Sequence, residues 1–195
     1  MIPYSTQSID KKDIFSVIKA LKSDRLTQGK INLNFENRIA KFTNSKYCLT
    51  TNSASSGLLL ACKALDLKKN DIAWTVPNTY AATANAIIAA GHVPVFADID
   101  NQLNIDISSI ERVYTPKVKA IVYVNFAGKM ANIDSINYFA KKRKILVIED
   151  GSQAFGAKYK NIINGQNGFI SAISMNCLLY TSPSQRDRQK CRVPG

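Results

Sequence analysis

Three short stretches of the 195-residue chain carry side chains able to do chemistry, each where a strand-like pattern gives way to a helix or loop. In the first, Asn52-Ser53-Ala54-Ser55-Ser56-Gly57 lies between a β-like stretch at residues 47–51 and an apolar helical pattern at Leu58, Ala61, Cys62 and Leu65. Small polar residues that open a helix leave backbone N–H groups free at the positive end of the helix dipole, which suits a phosphate. The same residues equally make an ordinary N-cap without a ligand. In the second, the apolar run Ile145-Leu146-Val147-Ile148 leads into Glu149-Asp150-Gly151-Ser152-Gln153-Ala154. Asp150 then stands at the carboxyl end of a buried strand, where open α/β sheets place their ligands, although a satisfied strand-end acid or an N-cap has the same appearance. In the third, Val76-Pro77-Asn78-Thr79-Tyr80 precedes a helical start at residues 81–85. Tyr80 can stack on a flat heteroaromatic ring or serve as a half-buried packing residue.

The elements needed to position these residues are legible from periodicity. Amphipathic helices are predicted over 11–23, with Ile14, Val17, Ile18 and Leu21 on one face and Asp10 as cap, and over 35–43. Strands are then predicted near 47–51, 72–76, 93–97, 120–125 and 145–149, separated by helices near 55–65, 80–90, 107–113 and 134–142. Alternation of this kind predicts a mostly parallel sheet covered by helices on both faces, a three-layer αβα arrangement.

Taken in order, Leu26-Thr27-Gln28-Gly29-Lys30, the 52–57 loop, residues 81–85, Pro94-Val95-Phe96-Ala97-Asp98-Ile99, Asn104-Ile105-Asp106, Thr115-Pro116, Ala127-Gly128-Lys129 and residues 148–154 resemble the DegT/DnrJ/EryC1/StrS sugar aminotransferases. These are fold-type I enzymes dependent on pyridoxal 5′-phosphate, and the resemblance runs from near Tyr4 to about Met175. It implies the large, cofactor-binding domain of such an enzyme, truncated, over residues 1–176. Within the family, Leu-Thr-Gln-Gly-Lys and Asn-Ser-Ala-Ser-Ser are most similar to the branch that serves pseudaminic acid synthesis.

The resemblance also implies roles. Ala54 and Ser55 match the residues whose N–H groups, with the Ser55 hydroxyl, hold the cofactor phosphate, and Tyr80 matches the ring-stacking residue. Asp150 matches the acid that keeps the ring nitrogen protonated, and Gln153 the residue that contacts the ring hydroxyl. Thr27 and Gly29 match a segment that lines the substrate side. The implied reaction moves an amino group from an amino acid donor, L-glutamate being favoured, to the 4-keto carbon of a UDP-linked 6-deoxy sugar. The implied full-length parent is a homodimer.

The family needs a lysine to attach the cofactor's aldehyde and carry the substrate proton. It is expected a few residues after a strand like Ile173-Ser174-Met175, but the chain reads Asn176-Cys177-Leu178-Leu179-Tyr180-Thr181-Ser182-Pro183 there, with no lysine at the expected place. From about Cys177 the sequence turns Ser-, Pro- and Arg-rich without a period, and Leu-Leu-Tyr-Thr-Ser-Pro-Ser-Gln-Arg-Asp-Arg-Gln-Lys resembles translated sequencing-adapter DNA. Residues 177–195 are therefore expected to be a non-native tail. A natural basic extension that binds RNA or membrane is the competing reading.

The formal net charge of +12 invites a nucleic-acid partner. Its distribution argues otherwise, because Lys11, Lys12, Lys19 and Lys22 are scattered along helix faces and Arg186, Arg188, Lys190 and Arg192 fall in the suspect tail. Cys48, Cys62, Cys177 and Cys191 show no metal-ligand spacing and read as reduced thiols. His92, the single histidine, follows Gly91 in a turn and is expected at the surface or in a cap. Without a signal peptide or a run of transmembrane length, the expected location is cytoplasmic, with neither membrane nor nucleic acid as partner and no metal. The alternative function is a non-catalytic relative that binds a nucleotide sugar or a partner through the same pocket. An NAD-dependent sugar enzyme is disfavoured, since no G-x-G-x-x-G follows the first strand.

Deleting residues 177–195 should leave thermal stability and protease resistance of the remainder almost unchanged. A marked loss of either would establish the tail as a working part of the protein.

Overall fold

The computed structural model describes residues 9–175, so the expectations for residues 177–195 and for the lysine segment after Met175 lie outside the described residues. The chain divides into two compact units, residues 1–50 and residues 51–195.

In the first unit, α1 (Lys11–Leu21) is fixed at its start by a capping box. Asp10 Oδ1 accepts from the N–H groups of Lys12 and Asp13 at 2.8 and 3.0 Å, while Asp13 returns a bond to the Asp10 N–H at 2.9 Å. Its expected apolar face forms, yet Ile14, Val17, Ile18 and Leu21 are all exposed. The second helix, α2 (Lys30–Thr43), begins five residues earlier than the predicted 35–43, directly after the extended N-cap Gly29, and ends at Asn44 in the left-handed region with φ 52°. Ile39 and Thr43 are its buried residues.

Residues 47–51 are not the predicted strand. The Thr50 N–H donates to the Glu36 carboxylate at 2.8 Å, and the Thr50 hydroxyl bonds to Glu36 at 2.8 Å and Asn32 at 2.9 Å. A side chain of α2 thus takes the backbone donor that a strand would have given to a ladder.

The second unit opens with α3 (Ala54–Ala64) and continues through β1 (Ile72–Thr75), α4 (Ala81–Ala89), β2 (Val93–Phe96), α5 (Ile107–Arg112), β3 (Val118–Val124), a single 3-10 turn (Phe126–Gly128), α6 (Ile133–Arg143) and β4 (Leu146–Asp150). A hairpin of β5 (Lys158–Tyr159) and β6 (Ile162–Ile163), which periodicity did not predict, precedes β7 (Ile170–Ala172). The final strand lies three residues before the expected Ile173-Ser174-Met175. Its register is set by Ile148, Glu149 and Asp150, which pair with Ile170, Ser171 and Ala172.

Five strands form one parallel sheet in the order β2-β1-β3-β4-β7. The chain steps one way from β1 to β2 and the other way from β3 to β4, so right-handed crossovers must put α4 and α6 on opposite faces. The cores record this. Leu58, Ala61 and Cys62 of α3 and Ala86 and Ile87 of α4 cover Ala73, Ala120, Val122 and Ile148 on one face. Ile110 of α5 and Ile136, Phe139 and Ala140 of α6 cover Trp74, Ile121, Tyr123 and Val147 on the other. Alternate strand residues feed the two layers, which is why β3 and β4 are apolar on both sides. The αβα expectation is met.

The bonds from Thr50, led by its backbone N–H, hold the Glu36 carboxyl below its ordinary value of 4.5. A value lowered on folding stabilises above the unfolded value and is lost as pH falls through the lowered one. Acid titration of the unfolding midpoint should therefore be less steep below about 4.5 in Glu36→Gln than in the parent chain.

Candidate functional site

The strand order reverses between β1 and β3, and the loops beyond the carboxyl ends of β1, β3 and β4 converge outside that point. β4 ends there in two consecutive carboxylates, Glu149 and Asp150, both buried, which the strand's alternation sends to opposite faces.

Glu149 is saturated. Its Oε1 accepts from Asn125 Nδ2 at 2.7 Å, and its Oε2 accepts from the N–H groups of Gly165 (3.0 Å) and Asn167 (3.2 Å) and the Ser171 hydroxyl (2.8 Å). Burial pushes its carboxyl up, and these donors pull it back down only in part. Tyr123 beside it is raised well above 10.0, by burial first and by the Glu149 charge second, so its phenol stays protonated. Asn164 completes this buried network. Its Oδ1 accepts from Asn125 Nδ2 at 2.8 Å and its Nδ2 donates to the Gly151 carbonyl at 3.0 Å.

Asp150 is different. It is 4% exposed, yet among the described residues it accepts only from the Thr83 hydroxyl (Oδ2, 2.7 Å) and the Ser152 N–H (Oδ1, 3.2 Å). Among the described residues of its unit no cation pairs with it. An ionised carboxylate offers about four acceptor sites, so it keeps capacity for a strong, preferably cationic, donor. Its negative charge also reaches Cys62 of α3, whose thiol is pushed up to about 11 by burial and then by Asp150.

The start of α3 stands beside it. A Cβ added to Gly57 would lie 3.9 Å from that of Ala172, the β7 residue paired with Asp150. Ser53 caps the helix by accepting from the Ser56 N–H, and the Gly57 N–H bonds to the Ser53 carbonyl, which leaves the N–H groups of Ala54 and Ser55 without an acceptor among the described residues. An anion can be held there.

Tyr80 is the N-cap residue of α4 and 73% exposed, which removes the half-buried packing alternative. Gln153 follows β4, and its Oε1 accepts the Ala127 N–H at 2.9 Å. Because a backbone N–H must face oxygen, the Gln153 amide turns its Nε2 donor the other way, where no hydrogen bond joins it to another described residue. Ala127 presents that N–H from the left-handed region, φ 51° and ψ 33°, a conformation that costs a non-glycine residue about 1–2 kcal/mol. Asn104 holds the strained turn from both sides, accepting from the Phe126 N–H at 3.0 Å and donating to the Lys129 carbonyl at 3.2 Å.

Ala54, Ser55, Tyr80, Asp150 and Gln153 thus all lie at the carboxyl ends of the strands or at the helix start beside them. Thr27 and Gly29 belong to the other unit, Gly29 as the N-cap of α2. Thr83, Asn104, Asn125, Glu149 and Asn164 were not singled out by sequence reasoning. Only Thr83 had a usable signal, three residues after Tyr80 in a helix's first turn. Of the two settings expected for His92, the cap is the one realised: its N–H donates to the Ile87 carbonyl at 3.1 Å and the Gly91 N–H to the Ile88 carbonyl at 2.9 Å, which closes the end of α4 with Gly91 in the left-handed region at φ 92°. The surface setting is corrected, since the side chain is 7% exposed and its Nδ1 has no partner among the described residues. Among the described residues no group of His, Cys, Asp and Glu could hold a metal ion, and no helix is long and apolar enough to cross a membrane.

Comparison with known proteins places this arrangement among aminotransferases. The profile of the DegT/DnrJ/EryC1/StrS aminotransferase family matches residues 7–177. The chain is 38% identical over 174 residues to the spore coat polysaccharide biosynthesis protein SpsC of Bacillus subtilis, covering 89% of this chain and 45% of that protein. It is 36% identical over 178 residues to the UDP-4-amino-4,6-dideoxy-N-acetyl-beta-L-altrosamine transaminase of Helicobacter pylori, covering 90% and 47%. Among solved structures, Helicobacter pylori PseC, an aminotransferase involved in pseudaminic acid biosynthesis, superimposes with a TM-score of 0.86 at 35% identity over 90% of this chain and 48% of that one. The E. coli GDP-4-keto-6-deoxy-D-mannose-3-dehydratase with bound hydrated pyridoxal phosphate gives 0.81 at 32% identity, over 85% and 44%. The chain spans about half the length of the curated relatives it matches.

A Cβ at Gly151 would sit 2.5 Å from Asn164 Oδ1 and 2.6 Å from its Nδ2, in a side chain pinned by two hydrogen bonds. Gly151→Ala should therefore destabilise the chain by about 1–3 kcal/mol, read as a lower urea midpoint.

Proposed function

The chain belongs to the DegT/DnrJ/EryC1/StrS aminotransferase family, and we propose that it is the cofactor-binding part of a sugar-nucleotide aminotransferase that uses pyridoxal 5′-phosphate. One observation carries this reading: a buried carboxylate, Asp150, has two neutral donors and no cation among the described residues, next to a helix start where two N–H groups have no acceptor among those residues. The site asks for a ligand with a cationic N–H at one end and an anion at the other. A phosphorylated pyridinium has both.

The residues fit that group. The Ala54 and Ser55 N–H groups, with the Ser55 hydroxyl, would hold the phosphate. Tyr80 would cover the ring, Gln153 would donate Nε2 to the ring hydroxyl, and Asp150 would keep the proton on the ring nitrogen. When bound, pyridoxal 5′-phosphate supplies the electron sink that lets a substrate Cα proton leave. The contribution of Asp150 is electrostatic: a fixed negative charge, already desolvated, stabilises the ring's positive charge without reorganisation during the reaction.

In the whole protein the amino group would pass from an amino acid, L-glutamate being the favoured donor, to the 4-keto carbon of a UDP-linked 6-deoxy sugar. Surface-glycan or pseudaminic acid biosynthesis would be its setting, in the cytoplasm, with a homodimer completing the site. Similarity to the Helicobacter pylori transaminase supports the substrate class. Thr27 and Gly29 would line the substrate side. The amine that attaches the cofactor is to be sought beyond Met175, and the 195-residue chain alone should not transaminate.

Equilibrium dialysis of the purified 195-residue chain against pyridoxal 5′-phosphate should show non-covalent retention. Asp150→Asn should weaken it at least tenfold, because loss of a charged partner costs about 1.5–3 kcal/mol. Tyr80→Ala should weaken it several-fold, through about 0.5–1.5 kcal/mol of lost stacking. Retention indifferent to both substitutions would refute the site. Amino transfer by the unaided chain would refute the expected inactivity, and a continuing genomic frame without a lysine soon after Met175 would favour the non-catalytic, sugar-binding alternative.

A further inference from the structure

Thr83 is the one described side chain that bonds to Asp150, and it is fully buried. Its Oγ1 lies 2.7 Å from Asp150 Oδ2 and also 2.7 Å from Thr79 Oγ1. A hydroxyl has one hydrogen and an ionised carboxylate has none to give, so the Thr83 hydrogen goes to Asp150. The Thr79 hydrogen must then go to Thr83. The order of donation is fixed, from Thr79 to Thr83 to Asp150, and each bond polarises the next.

A threonine inside a helix commonly turns its hydroxyl back to a carbonyl three or four residues earlier. Thr83 makes no such bond, although it sits in the first turn of α4. Its backbone N–H donates instead to the Tyr80 carbonyl at 3.0 Å, so a single turn carries both the exposed ring and the buried hydroxyl. The branched side chain of threonine has few χ1 choices, which makes this hydroxyl a stiff support rather than a roving donor.

We propose that Thr83, oriented by Thr79, is a positioning residue: it holds Asp150 in the one orientation that serves the ring nitrogen of the bound cofactor. The proposal rests on the reading of Asp150 given above. Thr83 touches neither ring nor substrate, and it acts by occupying one oxygen of the carboxylate and stopping the group from rotating. A cofactor whose ring lacks the nitrogen gains nothing from that orientation.

The test compares binding of pyridoxal 5′-phosphate with that of its 1-deaza analogue, in which C–H replaces the ring nitrogen, to the 195-residue chain. Thr83→Val should weaken binding of the natural cofactor about tenfold, the scale of a lost bond to a charged group, while changing that of the analogue less than about twofold. Thr83→Ser should restore the preference, and Thr83→Val should have no further effect in an Asp150→Asn background. Thr79→Val should give the same selective loss on a smaller scale, which keeps the test open should Thr83→Val fail to fold. Equal losses for both ligands, or no loss for either, would overturn the proposal and leave Thr83 a packing residue. A parent chain that binds both ligands equally would overturn the reading of Asp150 itself, and the positioning role with it.

Discussion

Two buried carboxylates at consecutive positions are the constraint around which the second unit is organised. A charge withdrawn from water needs a full set of donors, and the alternation of β4 sends Glu149 and Asp150 into different surroundings. Glu149 receives four donors, from Asn125 just after β3, from the segment at 165–167 and from β7, and it ties them together. Asp150 receives two, both neutral. The saturated acid is scaffolding, and the unsaturated one keeps capacity for a further donor. The protein can leave Asp150 short of partners because its neighbour supplies the cross-links that hold the strand ends in register.

The remaining features follow from placing groups around that unsatisfied acid. Reversal of strand order between β1 and β3 opens a crevice where loops from several strands meet, and right-handed crossovers put α4 on the face that Asp150 points toward. Tyr80 and Thr83 arrive together because they share the first turn of α4. The left-handed Ala127 costs conformational energy and in return fixes the polarity of the Gln153 amide. Asn104, distant in sequence, keeps that turn from relaxing. Family membership and this geometry agree on an aminotransferase fold, while the substrate remains tied to relatives of which the chain spans about half.

Local rules carried the sequence a long way. The helical periods at 11–23, 55–65, 80–90, 107–113 and 134–142 all correspond to helices with bounds shifted by a residue or two, because capping residues and apolar spacing are short-range properties. Where the strand expected at 47–51 failed to form, a distant group changed the outcome. Residues 47–51 have the composition of a strand, but Glu36 captures the Thr50 N–H. His92 caps the end of α4 as one of its two expected settings allowed, while its side chain is buried rather than at the surface.

The candidate site divides along the same line. Sequence by itself determined the alternation that makes a parallel, two-faced sheet, and the residue types of the candidate site: the small residues of 52–57 at the start of α3, Tyr80 after β1, and Asp150 and Gln153 at the end of β4. Those are local patterns, legible without knowledge of distant neighbours. Tertiary structure alone decided which acid is saturated, because Asn125, Gly165, Asn167 and Ser171 reach Glu149 from 16 to 24 residues away in the chain, and it alone set Thr83 against Asp150, 67 residues away. A hydrogen bond depends on distance and direction in space. No sequence period encodes either between segments that meet only after the sheet has formed.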